Sequence, residues 1–290
     1  MLHCFGPLPE LDLKEELTVE IITLVENTSV SEMYKARHGL SFYIETRLHK
    51  ILFDLGPDEL FLKNAGRMGV NIADVDTVVI SHGHSDHGGG LELFLKKNKK
   101  ARIYIRENGF RPHSLRFMFM HFSVGLDKKL ESNDRIIFTG EDLVIDEELE
   151  IFAGVTGTEM VSRSNRMLYE KIDGRYVRDP FLHEQSLIIS ESDNKVLMAG
   201  CAHNGIINIV DRGQELTGST LTHAISGMHM MNPLTAKSEN EYVDRLGVRL
   251  MDYRIQYYTC HCTGLRGYQI LRRVMGDQIQ YAATGSMMEI

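Results

Sequence analysis

The sequence predicts a layered fold of the α/β or α+β class. Segments typical of strands alternate with segments typical of helices in both halves of the chain, which implies sheets covered by helices. The 290 residues are 43% hydrophobic and 25% charged, as expected of a globular protein with a sizeable core. No repeat of fixed period and no low-complexity linker divides the chain, so we expect a single domain over residues 1–290.

The segment before residue 108 predicts the element order β-β-β-α-β-α-β. Apolar runs of strand length are LTVEIITLVEN, SFYIET, HKILFDLG, VDTVVIS and ARIYIRE, and a short polar turn between the second and the third predicts a hairpin. The helical runs are PDELFLKNAGRMGV and GLELFLKKNKK. The first of these has Pro57 and Asp58 at helix-entry positions and ends in glycines.

Residues 108–135 have no clean period. They contain FRPHSLRFMFMHFSVGLDKKL, in which aromatic residues and methionines are irregularly spaced. Long irregular connections in compact domains often carry function, so we interpret this segment as an inserted lid-like loop. The alternative for residues 117–122 is a core helix in which methionine and phenylalanine fill space.

The second half returns to regular elements. Strands are predicted at RIIFTG, LEIFAGV and SLIISESDNKVLMAGC, the last with a turn at Asp193 and Asn194. Helices and strands then alternate through GIINIVDRG, THAISGMHM, ENEYVDRLG, IQYYTCHC, LRGYQILRRVMG and QIQYAATG. The apolar tail GSMMEI has three alternative places: inside the pocket, against a neighbouring subunit, or loose.

Charge and composition limit the partners. The formal net charge is −8, and the lysines of residues 96–100 fall at a predicted helix end, where solvated cations are favoured, so we expect no nucleic-acid partner. The amino terminus lacks a basic start followed by an apolar core, and no apolar run approaches the about 20 residues of a membrane span. We therefore expect a cytoplasmic protein without a membrane partner, whose four cysteines form no disulfide framework.

The segment HGHSDH, residues 82–87, concentrates metal-ligand side chains directly after the strand VDTVVIS. His82 and His84 are two positions apart, so in extended backbone they project to the same side and can hold one ion. Asp86 and His87 follow after the turn into the next helix, which favours a second ion beside the first. The triple glycine that follows lets the backbone pass close to the site.

Two or three further ligands are expected from other strand ends. The candidates are Cys201 and His203 in LMAGCAHNG, His261 between Cys260 and Cys262 in TCHCTG, His229 in SGMHM, and His183 and Glu184 in FLHEQS. The alternative for Cys260 and Cys262 is a structural role as small buried side chains.

The motif H-x-H-x-D-H, behind a strand and with ILFDLG upstream, resembles that of the metallo-β-lactamase superfamily. The segments AGCAHNGIINI and CHCTG further resemble the branch of dihydropterin-linked ribofuranosylaminobenzene phosphate synthase-like proteins. The resemblance runs from about Val19 to the end of the sequence. It implies an αββα four-layer sandwich with a dinuclear metal site.

The same resemblance implies roles for individual residues. His82 and His84 would hold the first metal, and Asp86 and His87 the second. His261 matches the last histidine of the superfamily and would complete the second site. Two divalent ions are therefore expected, with zinc as the leading choice and iron or manganese as alternatives, because imidazole and carboxylate suit all three.

One position departs from the superfamily pattern. Most superfamily hydrolases end the strand KVLMAGC with a metal-bridging aspartate, and here that position is Cys201. We favour His203 as the residue that completes the first site, with Cys201 as a bridging thiolate and His183 as the other choices. Asp54 matches a family aspartate that braces the metal loop, although a turn cap is an equally ordinary use of aspartate.

Metal-activated water makes hydrolysis the leading function. Asp86 could accept a proton from that water, and His229 could bind substrate or protonate a leaving group, unless it simply packs among methionines. The substrate is expected to be a small molecule, phosphorylated or pterin-like. Its anionic groups could be bound by Arg111, His113, Arg116, His121, Arg163 and Arg166. The alternative is that these are surface residues without a special role.

Two other functions remain as alternatives. One is a synthase that joins a pterin precursor to an aminobenzene riboside phosphate, and the other is a non-catalytic metal-containing binding or sensing protein. The full set of ligand-type residues argues against the latter. A homo-oligomer is compatible with everything in the sequence.

Overall fold

The computed structural model describes residues 18–230 and 238–290, with no side-chain description of residues 238 and 239. The amino-terminal segment discussed above and its Cys4 lie outside the described residues. The strands are β1 (Glu20–Val25), β2 (Ser41–Glu45), β3 (Lys50–Phe53), β4 (Thr77–Val79), β5 (Arg102–Arg106), β6 (His113–Phe117), β7 (Met120–Ser123), β8 (Ile136–Thr139), β9 (Asp142–Val144), β10 (Leu149–Phe152), β11 (Leu168–Ile172), β12 (Arg175–Arg178), β13 (Ser186–Glu191), β14 (Asn194–Met198), β15 (His223–Ser226), β16 (Gln256–Thr259), β17 (Ile279–Tyr281) and β18 (Met287–Glu289). The helices are α1 (Leu60–Arg67), the single turn α2 (Ser85–Gly88), α3 (Leu91–Lys97), α4 (Ile206–Thr217), α5 (Ser238–Met251) and α6 (Gly264–Met275).

Two large sheets form the centre of the molecule. Their strand orders are β18-β1-β2-β3-β4-β5-β8 and β17-β16-β15-β14-β13-β10-β9. The apolar core between them includes Phe42 from the first sheet and Leu187 from the second. Phe94 of α3 packs on the outer face of the first sheet, and Ile207 and Leu246 of α4 and α5 pack on that of the second. These four layers are the predicted αββα sandwich, in which each sheet buries both faces.

Parallel strands bring their carboxyl ends to one edge of the sandwich. β3, β4 and β5 run parallel in the first sheet, and β14, β15 and β16 run parallel in the second. Loops that follow such strands are the usual location of ligand sites in α/β sheets. The histidine-rich segments after β4, β14 and β16 therefore meet at this edge.

Residues 108–135 contain a regular hairpin, β6–β7, between irregular stretches. β6 and β7 pair antiparallel, and β6 also pairs with β11 in a third sheet of order β12-β11-β6-β7. The core-helix alternative for residues 117–122 is wrong, because Phe117, Met120 and Phe122 are strand residues about half exposed to solvent. A lid role of this hairpin stays a prediction.

The tail GSMMEI is neither loose nor inside the pocket, and its contact with a neighbouring subunit stays a prediction. β18 pairs antiparallel with β1 as the edge strand of the first sheet, and Met288 is buried in the core between the sheets. The predicted hairpins β2–β3 and β13–β14 are confirmed. The three described cysteines are free thiols, and no helix of the described segments is long and apolar enough to cross a bilayer.

His49 joins the two large sheets through two carboxylates. Its Nδ1 lies 2.9 Å from Asp76 Oδ1, just before β4, and its Nε2 lies 2.6 Å from Asp146 Oδ2, between β9 and β10. Burial alone would lower the pKa of His49, but the hydrogen bonds to both carboxylates outweigh it and raise the pKa above 6.5. The protonated ring therefore donates to both sheets.

We expect His49→Gln to lower the free energy of unfolding by about 1–2 kcal/mol below pH 6.5, because two charge-assisted hydrogen bonds are lost. A raised folded-state pKa contributes stability that is complete below the unfolded value and is lost as pH rises through the folded value. The difference between wild type and variant should therefore shrink above that pKa. Urea unfolding of both proteins across this range measures it, and a difference independent of pH would contradict the assignment.

Candidate metal centre

Five buried histidines converge where the two sheets end. None is more than 5% exposed, and the ring of His82 lies 4.5 Å from that of His84, 4.1 Å from that of His87 and 4.9 Å from that of His203, centroid to centroid. The ring of His261 lies 5.0 Å from that of His87. Buried polar atoms almost always have a partner, yet the described residues offer no hydrogen bond to the Nε2 atoms of His82, His84, His203 and His261. Unpartnered, converging imidazole nitrogens fit a divalent metal site.

Asp54 and Ser81 set the orientation of the rings on the first sheet. Asp54 Oδ1 accepts from the backbone N–H of Ser81 at 2.7 Å, and its Oδ2 accepts from Ser81 Oγ at 2.7 Å and from His87 Nδ1 at 2.6 Å. Since Ser81 Oγ donates to Asp54, it accepts from His82 Nδ1 at 2.9 Å. Both rings thus carry a proton on Nδ1, which leaves Nε2 as the ring atom directed into the site. Asp54 braces the metal loop, which is the geometry that the resemblance implied.

Two asparagines orient the rings on the second sheet in the same manner. Asn165 accepts from His203 Nδ1 at 2.9 Å and donates to the His203 carbonyl at 2.7 Å. Asn27 accepts from His261 Nδ1 at 2.9 Å and donates to the His261 carbonyl at 3.1 Å. Each asparagine therefore fixes both the ring and the backbone of one histidine, and Nε2 remains available as a ligand atom.

Two of the overlapping groups of candidate ligand atoms share His82. Those of His82, His84 and His203 lie within 4.8 Å of one another, and so do those of His82, His87 and Cys201. Cys201 Sγ is 3.3 Å from His87 Nε2. The structure thus places the imidazole of His203 with the first pair of histidines, and the thiol of Cys201 between the two groups.

The pKa values of these histidines bear on whether their rings can bind a metal ion. Burial lowers the pKa of His82, His84 and His203 well below 6.5, so their rings are neutral at neutral pH and can coordinate an ion. For His87, burial also opposes charge, but the carboxylates of Asp54 and Asp86 outweigh it and raise the pKa to about 9. A metal ion at His87 would have to displace that proton.

Asp86 is the carboxylate of the second group. Its Oδ2 lies 3.2 Å from His261 Nε2, without the alignment of a hydrogen bond, and 3.2 Å from the Nε2 of His38. Burial would raise the pKa of Asp86, but the charge on His87 and the neighbouring rings lower it well below its usual value. A carboxylate of low pKa is a weak base, which favours a ligand role over the predicted role as proton acceptor.

His183 lies beside the site with both nitrogens occupied. Its Nδ1 accepts from the backbone N–H of Gly83 at 2.9 Å, and its Nε2 donates to Asp179 Oδ2 at 3.1 Å. His113 Nδ1 donates to the same oxygen at 3.0 Å. This arrangement favours His183 as a support for the loop between His82 and His84 and disfavours it as a ligand.

We expect Asp179→Asn to weaken metal binding at the His82 and His84 pair by about 10–100-fold. The side-chain NH₂ group of the asparagine would face a histidine N–H donor. His183 would then no longer be held with its proton on Nε2, the arrangement that lets its Nδ1 accept from the Gly83 N–H. The metal affinity is measured by competition with a chromophoric chelator. Asp173→Asn, in the exposed turn between β11 and β12 with φ +48°, is the matched control. An unchanged affinity in Asp179→Asn, or an equal loss in the control, would contradict this role.

Glu184 is a support and not a ligand in this arrangement. Its carboxylate accepts from the backbone N–H of His203 at 2.6 Å and from that of Asn204 at 2.8 Å. Burial, the largest influence, raises the pKa of Glu184 to about 7. The two bonds hold a loop in which Ala202 has a positive φ of +53°, a conformation that non-glycine residues rarely adopt.

His229 lies at the margin of the site, as predicted for a pocket residue. Its ring centroid is 4.2 Å from that of His203, and its Nδ1 has no partner among the described residues. Cys262 Sγ accepts from its backbone N–H at 3.1 Å. Cys260, in contrast, packs in the apolar core between the sheets, which is the structural alternative for that residue.

The predicted anion-binding residues separate into two places. Arg116 and His121 lie on the four-stranded sheet, and Arg111 pairs with the buried Glu170 at 3.5 Å. A cavity of about 490 Å³ is lined by Thr158, Met160, Val161, Arg163, Tyr242 and Arg245. Arg163 and Arg245 form no ion pair within the described residues, so this cavity offers two unpaired guanidinium groups.

Sequence reasoning missed four residues that shape the centre. Asn27 and Asn165 orient ligands, Asp179 supports the loop, and His38 contacts Asp86. The sequence offered a signal for Asn27 alone. Glu26 and Asn27 form a polar pair at the end of the apolar run LTVEIITLVEN, and the other site residues were identified at such strand ends.

Comparisons with known proteins identify similar sequences and a similar fold. A family model described as the metallo-beta-lactamase superfamily matches residues 34–166. A 7,8-dihydropterin-6-methyl-4-(beta-D-ribofuranosyl)-aminobenzene-5'-phosphate synthase of Methanocaldococcus jannaschii is 24% identical over 290 residues, covering 93% of this chain and 96% of the relative. An uncharacterized protein of the same organism is 25% identical over 272 residues, covering 92% and 98%. A crystal structure described as a metal-dependent hydrolase of the beta-lactamase superfamily superposes with a TM-score of 0.78 at 24% identity, covering 94% of this chain and 99% of the other.

Proposed function

We propose that this chain is a metal-dependent hydrolase of the metallo-beta-lactamase superfamily that acts on a small anionic molecule. The observation that carries the proposal is the set of four buried, converging Nε2 atoms that accept or donate no hydrogen bond within the described residues. Folding alone would not leave four such atoms unsatisfied, because each costs free energy unless a ligand satisfies it. A binding partner of these atoms is therefore part of the function.

The residues present fit two divalent ions. His82, His84 and His203 would hold one, and Asp86, His87 and His261 would hold the other, with Cys201 between them. Such ions lower the pKa of water and polarise a carbonyl or phosphoryl oxygen, which is the chemistry of hydrolysis. We expect zinc, because neutral imidazole and thiolate together suit it.

The side chains at the margin supply the remaining functions. His229 has an unpartnered Nδ1 beside His203, so it can donate a proton to a leaving group. Arg163 precedes Asn165, the support of His203, by two residues and lines the neighbouring cavity with Arg245. Guanidinium groups bind phosphate or carboxylate with paired hydrogen bonds, which supports a phosphorylated substrate.

Metal analysis and an isotope experiment together test the proposal. Protein purified without chelators should contain roughly two divalent ions per chain. With a panel of small phosphate and carboxylate esters in water enriched in ¹⁸O, hydrolysis should place one heavy oxygen in the released acid. Chelator-treated protein and His82→Ala are the controls. Absence of metal in the purified protein, or turnover that survives chelation, would overturn the proposal.

A second candidate is a synthase, because the relative named above is one and matches nearly the whole chain. Joining two substrates takes no oxygen from water. A condensed product without heavy oxygen would therefore favour the synthase over the hydrolase.

A further inference from the structure

The tip of the β6–β7 hairpin exposes four consecutive apolar side chains. Phe117 is 49% exposed, Met118 71%, Phe119 94% and Met120 58%. Scattered apolar residues on a surface are ordinary, but a projecting apolar tip of this kind marks an interaction site. The four side chains lie around the turn of a hairpin, a position that suits insertion into a partner better than enclosure of a ligand.

Folding does not account for these residues. Met118 and Phe119 occupy the two-residue turn, where asparagine and glycine are the usual choices because they accept positive φ. Met118 has φ +54°, which strains a residue with a long side chain. A sequence that served only the hairpin would place polar residues at both positions, so the apolar pair serves a contact outside the chain.

Arginines lie on the hairpin strand β6 and on β12 of the same sheet. Arg116 and Arg178 lie over the ring of Tyr169, 5.8 and 5.3 Å from its centroid, and Arg178 also donates to the carbonyl of Arg166. In the described part of the chain, none of these three arginines forms an ion pair. The positive charge next to the tip is therefore available, on a chain whose formal net charge is −8.

The carboxylates of the same sheet lie away from the tip. Glu170 and Asp179 are buried and paired with Arg111 and with histidines. Asp173 lies in the turn between β11 and β12, at the opposite end of the sheet, because β11 runs antiparallel to β6. The patch of apolar tip and flanking arginines thus presents only positive charge.

We propose that this tip docks on the surface of a bilayer that contains anionic phospholipid. Phe117 to Met120 would enter the acyl boundary, and the arginines would contact lipid phosphates, which is the pattern of apolar and basic groups that binds such surfaces. A twofold contact with a second copy would place like charges against each other, so it is disfavoured. This inference is independent of the reaction at the metal centre, and it revises the expectation of no membrane partner.

The hairpin is also connected to the metal loop. The backbone N–H of Ser85 donates to the carbonyl of Val124 at 2.7 Å, and His84 forms a bridge with Gly125. The base of the hairpin therefore contacts the loop that carries the candidate metal ligands. When the tip is docked on a bilayer, the metal centre would lie at a fixed distance from the lipid surface.

The absence of tryptophan from the sequence permits a direct test. In the full-length, metal-loaded protein, Phe119→Trp provides a single fluorophore at the tip. Val144→Trp provides a matched one at a 65% exposed apolar position of the second sheet. With vesicles of phosphatidylcholine and phosphatidylglycerol, we expect a blue shift for Phe119→Trp and none for Val144→Trp. Phosphatidylcholine alone should give a smaller shift, and added salt should reduce it.

Sedimentation with the same vesicles completes the test. Phe119→Ser should bind about tenfold more weakly than wild type, and Val144→Ser should bind as wild type does. Replacing Arg116 and Arg178 with glutamine should remove the preference for the anionic vesicles. The proposal is overturned if wild type sediments with neither vesicle, or if Phe119→Ser binds equally well. It is also overturned if Phe119→Ser instead dissociates an oligomer in analytical ultracentrifugation, which would identify the tip as a contact between copies.

Discussion

Asp54→Ala is expected to lower the free energy of unfolding of the metal-free protein by about 3–5 kcal/mol, the usual cost of removing one member of a buried ion pair. Asp54 is fully buried and accepts three hydrogen bonds, from Ser81 twice and from His87. The raised pKa of His87, about 9, means that its ring is a cation at neutral pH when no metal is present. Without Asp54, that charge and the Ser81 N–H lose their buried partner.

Asp54→Asn is the matched control. Asparagine tolerates the positive φ of +62° at this position and keeps an acceptor for the Ser81 N–H, but it lacks the charge opposite His87. We expect a smaller loss, about 1–3 kcal/mol. Guanidinium unfolding of the three proteins measures both values. Equal stability of wild type and Asp54→Ala would show that the carboxylate does not hold the loop.

His203→Ala is expected to remove about one of roughly two bound metal ions per chain. Of the candidates for the third ligand of the first site, His203 is the one whose Nε2 is unpartnered and grouped with His82 and His84. Elemental analysis of protein purified without chelators gives the stoichiometry. Asn165→Ala, which removes the support and leaves the ligand, should weaken binding without changing the number of ions at saturation.

Cobalt substitution separates the roles of His203 and Cys201. A thiolate ligand gives an intense sulfur-to-cobalt absorption, which Cys201→Ser should remove and Cys260→Ser, whose thiol packs in the apolar core between the sheets, should keep. If His203→Ala retained both ions and Cys201→Ser lost one, the thiol and not the imidazole would complete the first site.

Local patterns in the sequence were sufficient for the fold and for the histidines. For the segment HGHSDH, the apolar strands and the hairpin between β2 and β3, the pattern that predicts the structure lies within a few consecutive residues. The supports of the centre have no such local signal. Asn27 is 234 positions from His261, and Asn165 is 38 positions from His203, so only the folded chain brings each asparagine to its histidine.

The third sheet was missed for a different reason. The segment LYEKIDGRYVR contains Asp173 and Gly174 between two apolar-polar alternations, which is a strong hairpin signal. Its partner β6 was hidden, because the exposed methionines and phenylalanines of the β6–β7 tip break the alternation that identifies a strand. An exposed apolar tip thus obscured the local pattern, as expected if the sequence there serves something other than folding.

The contacts between the end of β1 and the last part of the second sheet bear on when the centre can form during synthesis. Glu26, at the end of β1, accepts from the backbone N–H of His261 and from the hydroxyl of Tyr281, both at 2.7 Å. A nascent chain still attached to the ribosome can form the first sheet's metal loop early, but it lacks His261 and the strands around it. The proposed metal centre is therefore complete only after His261 and the strands β16 and β17 have emerged, and a translating chain would present an incomplete set of ligands.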